Sequence, residues 1–193
     1  MSVTEGELLW TPGVAFAEGS NITAYMDWLR DRGLANVEDY PSLWRWSVED
    51  IERFWASLWE YFDIQSDTPY EQVVDGREFE PGRRWFAGSR VNLAEHILRN
   101  EREGAVAFYH RSEIRPQHAI TWTELAAQVR IMATAMRTRG LQPGDAVCCL
   151  MPNLIEAVVA MLATVSIGCV WSSAAPEFGR RTILERFSQI GPR

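Results

Sequence analysis

The clearest pattern of apolar positions lies late in the chain, between residues 145 and 187. The run 146–151, Ala-Val-Cys-Cys-Leu-Met, is apolar at every position, which is typical of a strand covered on both faces. Pro152 and Asn153 end it, and a helix follows, with apolar positions at Ile155, Val158, Val159, Leu162 and Ala163. After Gly168 a second buried strand is expected at 169–171. This order predicts a parallel βαβ unit, with another amphipathic helix after it.

The segment before this unit predicts more strands and a well-capped helix. The run 105–109 is suited to a strand, and apolar character resumes at Ile120. Thr121 and Glu124 have the spacing of a capping box. The helix they begin should turn its apolar positions inward: Leu125, Val129, Met132, Ala133 and Met136. Three or four strands are too few for a finished parallel sheet, so either another chain completes it or further polypeptide is missing.

The first 90 residues differ in composition: they hold seven of the nine tryptophans, and they are expected to form helices joined by irregular segments. Ser20 or Asn21 is the predicted cap of a helix that Gly33 ends, with Ile22, Tyr25, Met26 and Leu29 on its apolar face. Ser47 is predicted to begin a second helix, with Asp50 in a shortened capping box. Its stripe at helical spacing indicates core packing and not a base-stacking platform: Ile51, Phe54, Trp55, Leu58 and Trp59.

A long connection is expected from Asp63 to Pro81, where the pattern is lost, and Asn92 is then the predicted cap of a short helix through Leu98. The fold class is therefore α/β, with a helical N-terminal extension followed by the first βαβ part of an incomplete parallel sheet. We place the extension at residues 1–100 and the α/β part at 101–193.

Charge and composition narrow the function classes. The net charge is −7, and residues 1–80 hold 17 acidic and 5 basic side chains, which disfavours nucleic acid and anionic membranes as partners. No signal peptide or membrane span is visible, so we expect a cytoplasmic protein. Every one of the 19 basic residues is Arg, so no chemistry that needs a lysine amine takes place on this chain. The three cysteines lack a metal-ligand spacing and are interpreted as small buried residues.

Candidate chemistry is confined to the predicted carboxyl ends of the parallel strands, where ligands of α/β sheets gather. These ends are Met151–Asn153 and Ser172–Glu177. The second is a turn with small residues that lets a ligand approach the backbone, and a plain strand-to-helix connection explains it equally well. The three histidines have no metal-ligand spacing, and the carboxylates Asp145 and Glu177 are isolated, so no catalytic residue and no metal site are predicted.

Several segments together resemble one family. Residues 120–125, Ile-Thr-Trp-Thr-Glu-Leu, and 139–147, Arg-Gly-Leu-Gln-Pro-Gly-Asp-Ala-Val, resemble the first subdomain of acyl-adenylate-forming enzymes, and 151–179 resembles the next segment of acyl-CoA synthetases. Residues 40–48 and 85–96 resemble the N-terminal extension shared by acetyl- and acetoacetyl-CoA synthetases. The opening Leu9-Trp10-Thr11-Pro12 and the turn at 170–173 favour the acetoacetyl-CoA branch.

The resemblance implies a two-step reaction in the full-length enzyme. A carboxylate attacks ATP to give an acyl-adenylate and pyrophosphate, with Mg²⁺ on the phosphates, and the CoA thiol then displaces AMP. The family's phosphate loop and its lysines are missing here, so the chain is expected to be inactive alone and to bind ATP, CoA and Mg²⁺ weakly at best. In acetyl-CoA synthetases a Gly-Gly turn lies near the pantetheine tunnel. By this resemblance the CoA-side residues here are Ala175, Pro176, Glu177 and Phe178, although Pro176-Glu177 replaces the glycines.

Three hypotheses follow. The first is the N-terminal portion of an acetoacetate–CoA ligase that needs a downstream polypeptide and a small acid substrate. The second is a non-catalytic binding or assembly module that retains the fold. The third is a portion of a related acetyl- or propionyl-CoA synthetase. Exposed apolar surface is expected where the missing sheet and helices pack.

Overall fold

The computed structural model describes residues 4–76 and 82–193 of the chain. These residues form two compact units. Unit 1 holds the residues up to Ile64 together with Thr68–Ser89, and unit 2 holds Gln65–Asp67 together with Arg90–Arg193. The predicted domain boundary at residue 100 stays a prediction.

Unit 1 is a small helical assembly with one hairpin. Its elements are α1 (Val14–Glu18), α2 (Asn21–Asp31), α3 (Tyr40–Glu49), α4 (Ile51–Tyr61), β1 (Gln72–Asp75) and β2 (Arg84–Ala87). Strands β1 and β2 are antiparallel, with Val74 opposite Trp85. Its core lies between α2, α3 and α4 and consists of Tyr25, Met26, Leu29, Val37 and Leu43.

The first predicted helix of unit 1 is confirmed. Ser20 is the cap, since its hydroxyl accepts a hydrogen bond from the N–H of Thr23, and the buried face of α2 is Tyr25, Met26 and Leu29. Gly33 follows the helix with a φ of +64°, a conformation that glycine adopts without strain. Ile22, predicted to be inward, is exposed.

The second predicted helix is wrong at its beginning. Ser47 lies inside α3, which begins seven residues earlier and is capped by Asp39 in a reciprocal capping box with Ser42. Asp50 ends α3 and caps α4 by accepting from the N–H of Arg53. Two short helices therefore replace the single predicted helix, because the Asp50 side chain caps the second helix at the point where the first one ends.

The apolar stripe of α4 divides between two neighbours within unit 1. Phe54 and Leu58 pack against the core around Leu29, whereas Trp55 contacts the ring of Trp85 at 5.4 Å. The buried polar residue of the helix, Ser57, bonds the hydroxyl of Tyr25 at 2.6 Å. The stripe is thus packing surface, as predicted.

The predicted long connection from residue 63 to 81 contains a strand. Residues 72–75 form β1, which the sequence pattern did not indicate because the strand is short and only Val74 is buried. Pro81, the predicted end of that connection, lies outside the described residues.

Unit 2 holds the α/β part. Its elements are α5 (Leu93–Leu98), β3 (Val106–His110), β4 (His118–Thr121), α6 (Trp122–Thr138), β5 (Ala146–Leu150), α7 (Ile155–Ser166), β6 (Val170–Ala174) and α8 (Arg180–Ser188). The predicted βαβ unit is confirmed: β5 and β6 are parallel, with Ala146 opposite Val170 and Leu150 opposite Ala174. The predicted α/β fold class is confirmed with it.

The core of unit 2 lies between α5, α6 and α7. The predicted capping box of α6 is present, since Thr121 and Glu124 exchange hydrogen bonds, and Leu125, Val129, Ala133 and Met136 are buried. Met132, predicted to be inward, is 37% exposed, and Ala126 is buried in its place. Asn92 caps α5 as predicted.

Two expectations for the sheet need correction. Strands β3 and β4 form an antiparallel hairpin of their own and do not join the parallel pair, so the described residues supply two parallel strands and not three or four. The run 146–150 is also less covered than predicted, because Leu150 is 47% exposed. Helix α8 has the predicted amphipathic pattern but buries no residue.

Among the residues that the structure describes, no helix is both long and apolar enough to cross a membrane.

Candidate active-site crevice

The parallel pairing of β5 and β6 brings their carboxyl ends to one edge. Because Leu150 lies opposite Ala174, the segments that leave the two strands, 151–154 and 175–179, begin side by side. This is the position at which α/β sheets collect ligands. The two strand ends located from the sequence therefore lie side by side at one edge of the sheet.

A crevice of about 300 Å³ opens at this edge. Its lining is mostly apolar and includes the thioethers of Met151 and Met161 and the indole of Trp171. Two polar side chains, Asn153 and Ser173, are part of it. The full lining is Cys149, Met151, Pro152, Asn153, Ala157, Val158, Met161, Trp171, Ser173, Ala174 and Ala175.

Each wall of the crevice comes from a different element. The first turns of α7 supply Ala157, Val158 and Met161, while the strands supply Cys149 and Trp171. Sequence spacing predicts Val158 as a core position and assigns no role to Ala157 or Met161. The available signal was their position directly after a strand end, since the first turns of the following helix are bound to flank that edge.

The four predicted CoA-side residues are not equivalent in the structure. Ala175 lines the crevice, whereas Pro176, Glu177 and Phe178 are exposed on the turn beyond it. The N–H of Phe178 donates to the carbonyl of Ala175 at 3.1 Å, which closes the turn, and the guanidinium of Arg186 lies 4.8 Å above the Phe178 ring. Their assignment to CoA stays a prediction.

The cysteine near this edge is not an activated nucleophile. Burial raises the pKa of the Cys149 thiol, and burial likewise raises the pKa values of the Cys148 and Cys169 thiols. A reactive cysteine needs the opposite shift, from a nearby cation or a helix N-terminus. The Cys169 thiol instead donates to the carbonyl of Gln142 at 3.1 Å, which is a structural role.

The mostly apolar lining of the crevice, with two polar side chains, suits a small and largely aliphatic ligand. Its volume is at the lower limit for a small-molecule site, and the two polar side chains leave few hydrogen bonds to be made. Within residues 4–76 and 82–193, no three His, Cys, Asp or Glu side chains come together in a way that would hold a metal ion. The crevice therefore offers binding surface and supplies no acid, base or metal ligand.

Two other cavities lie away from the ends of the parallel strands. One, of about 440 Å³ in unit 1, lies beside Trp46, Trp59 and Tyr70. Another, of about 370 Å³ in unit 2, lies beside the cross-strand pair His110 and His118. Neither is placed at the carboxyl edge of the parallel strands.

Comparison with known proteins agrees with the fold. A model of the AMP-binding enzyme family matches residues 95–193, just over half of the chain, and a model of the acetyl-coenzyme A synthetase N-terminus matches residues 40–97. The chain therefore belongs to the AMP-binding enzyme family.

Particular relatives are acetoacetyl-CoA synthetases. That of Rhizobium meliloti (strain 1021) is 35% identical over 96% of this chain and 28% of its own length, and that of Macaca fascicularis is 39% identical over 99% of this chain and 28% of its own. The solved acetoacetyl-CoA synthetase from Streptomyces lividans superposes with a TM-score of 0.90 at 39% identity, over 96% of this chain and 29% of that one. This chain thus spans slightly more than a quarter of the length of these relatives. The resemblance predicted from the sequence is confirmed.

Proposed function

We propose that this chain is the N-terminal part of an acetoacetate–CoA ligase, which converts ATP, acetoacetate and CoA to AMP, pyrophosphate and acetoacetyl-CoA. The observation that carries the proposal is the match of nearly the whole chain, fold and sequence together, to the acetoacetyl-CoA synthetase from Streptomyces lividans. Acetoacetate-dependent formation of AMP by the polypeptide that continues past Arg193 is the direct test.

The ATP and Mg²⁺ chemistry belongs to the rest of that enzyme. The described residues offer no acidic cluster for a cation, and the chain has no lysine to place against a phosphate. The residues present therefore fit neither of these two groups. The isolated 193-residue chain should form no AMP from ATP, acetoacetate and CoA, and AMP formation above a heat-treated control would contradict this.

In the full enzyme, this chain contributes part of the surface that binds CoA. The crevice is small and mostly apolar, which suits the pantetheine arm, and Ala175 on its wall is one of the predicted CoA-side residues. Asn153 and Ser173 supply its polar side chains. In this role the chain binds and orients the thiol donor, and it takes no proton from it.

A variant that narrows the crevice tests this role in the longer enzyme. Ser173 is exposed and lines the crevice, so Ser173→Phe fills part of it without disturbing the core. We expect the KM for CoA to rise several-fold while acid-dependent ATP–pyrophosphate exchange stays unchanged. Ser188→Phe, exposed at the end of α8, is the matched control and should change neither quantity. An unchanged KM for CoA in Ser173→Phe, or an equal loss of exchange, would contradict the assignment.

We place the ligase in the cytoplasm, with a small carboxylic acid as its substrate and no nucleic acid or membrane as a partner. The acidic first 80 residues and the membership of an AMP-binding enzyme family support this placement.

A further inference from the structure

Two histidines of unit 2 are neighbours across the antiparallel hairpin. His110 ends β3, His118 begins β4, and the two residues are direct partners in the register. Directly opposite residues on antiparallel strands share one face of the hairpin, with their Cβ atoms about 4.5–5.5 Å apart. The hairpin therefore brings together two imidazoles that have no metal-ligand spacing in the sequence.

The shared face of this pair borders the cavity of about 370 Å³ in unit 2. Both imidazoles line the cavity together with Ile120, a core residue two positions after His118 and therefore on the same side of β4. The His110 side chain is half-buried, whereas His118 is exposed. An ion can therefore reach the pair from the side of His118.

One ring nitrogen of the pair is buried without satisfying its bonding capacity. The Nε2 atom of His110 has no hydrogen-bond partner among the residues that the structure describes. Most buried polar atoms in proteins are bonded, so an exception needs a physical reason. Imidazole nitrogen is a preferred ligand of zinc, copper and nickel ions, and coordination of such an ion would satisfy this atom.

The charges around the two rings are compatible with a bound cation. Two carboxylates lie within electrostatic reach, Glu156 of His110 and Glu124 of His118. Histidines that bind a metal are commonly supported by a carboxylate that is not itself a ligand. Arg115 also lines the cavity, but its guanidinium donates to the Glu156 carboxylate at 2.7 Å, which offsets its positive charge.

We propose that His110 and His118 together bind one divalent transition metal ion that prefers imidazole, such as Zn²⁺, at the edge of this cavity. One nitrogen of each ring lies about 2.0–2.1 Å from the ion, and water completes the coordination, since no group of three His, Cys, Asp or Glu side chains is present among the described residues. The ion ties β3 to β4 at the base of the segment 111–117. The cavity shares no lining residue with the crevice, so the site is independent of the proposed ligase function.

Titration of the 193-residue chain with ZnCl₂, followed by calorimetry and by the imidazole NMR signals, tests the site. One ion should bind per chain, and the signals of His110 and His118 should shift together while that of His96 does not. His110→Gln and His118→Gln should each weaken Zn²⁺ binding by about tenfold or more, because one imidazole alone loses the gain from two linked ligands. His96→Gln is the matched control and should leave the affinity unchanged.

Three results would overturn the proposal. A dissociation constant above about 1 mM for Zn²⁺ in the parent chain would show that the pair is not a metal site. An affinity unchanged in both histidine variants would show that thiols or other groups hold the ion. A complex of two chains with one ion would show that the histidines bridge copies and do not act within one hairpin. The parent chain alone decides the first and third of these results, so a variant that fails to fold does not leave the proposal untested.

Discussion

Asn92 connects two helices through both ends of one side-chain amide. Its Oδ1 accepts from the N–H groups of Ala94 at 3.0 Å and Glu95 at 3.2 Å, which caps α5. Its Nδ2 donates to the carbonyls of Val165 at 3.1 Å and Ser166 at 3.4 Å, at the end of α7. Asn92→Asp keeps the size and the capping oxygen, and it replaces the donor with an oxygen that cannot donate.

The expected cost follows from what faces the new oxygen. Two hydrogen bonds of about 1 kcal/mol each are lost. A negative charge also comes to lie against carbonyl oxygens at the negative end of a helix dipole, which adds about 0.3–1 kcal/mol. We therefore expect Asn92→Asp to lower the free energy of unfolding by about 2–3 kcal/mol. Asn92→Ser retains a capping oxygen and adds no charge, so it should cost about 1–2 kcal/mol.

Urea unfolding read from amide resonances of α6 and α7 measures these values for unit 2 alone. The dependence of the free energy of unfolding on urea concentration should be the same in all variants, so that a shift of the midpoint reports a change in stability. The order of stability should be Asn, then Ser, then Asp. If Asn92→Asp were as stable as the parent, or more stable than Asn92→Ser, the bonds from Nδ2 to α7 would not be contributing as described.

Three further outcomes are expected. Leu125→Ala in the core of α6 should cost about 2–5 kcal/mol, whereas Ile131→Ala on the exposed face should cost about 0.5 kcal/mol or less; equal losses would contradict the helix orientation. Hydrogen bonds from Thr121 lower the pKa of the Glu124 carboxyl, and hydrogen bonds from Ser42 lower that of Asp39. These carboxylates therefore stabilise the fold above their unfolded pKa values, near 4.5 and 3.8, and that stability is lost as the pH falls through the lowered folded values. The midpoint temperature of thermal unfolding, followed from pH 6 to about pH 3, should fall less steeply in Glu124→Gln than in the parent chain. The same pH dependence in both would refute the role of the capping box. Since burial raises the pKa of the Cys149 thiol, its alkylation at about pH 8 should be slow in the folded chain and fast in urea; equal rates would contradict its burial.

Local signals predicted the helix ends and the parallel unit well. Ser20, Asn92 and the Thr121–Glu124 pair each act through residues two or three positions away, so their spacing alone is informative. The βαβ unit was predictable for a related reason, since the apolar run of β5 is bounded by clear breaks and followed by a helical period.

Long-range pairing was not predictable in the same way. Nothing near Val106 or His118 tells whether β3 and β4 join the parallel pair or pair with each other, and they pair with each other. Helix α3 was not predicted because the cap at Asp50, which lies between α3 and α4, interrupts the helical spacing of the apolar residues. The sequence located the crevice at the strand ends. It did not predict the wall that α7 supplies, because the spacing of Val158 and Met161 is the same as that of residues in the core.

The central claim is most directly tested by acid-dependent AMP formation in the polypeptide that continues past Arg193, with ATP, CoA and Mg²⁺ supplied. The proposed function predicts that acetoacetate supports AMP and acetoacetyl-CoA formation, with kcat/KM at least about tenfold above that for acetate or propionate. Activity with acetate or propionate at or above that with acetoacetate would contradict the assignment to an acetoacetate–CoA ligase, and a folded longer polypeptide that forms no AMP with any of the three acids would contradict ligase function altogether.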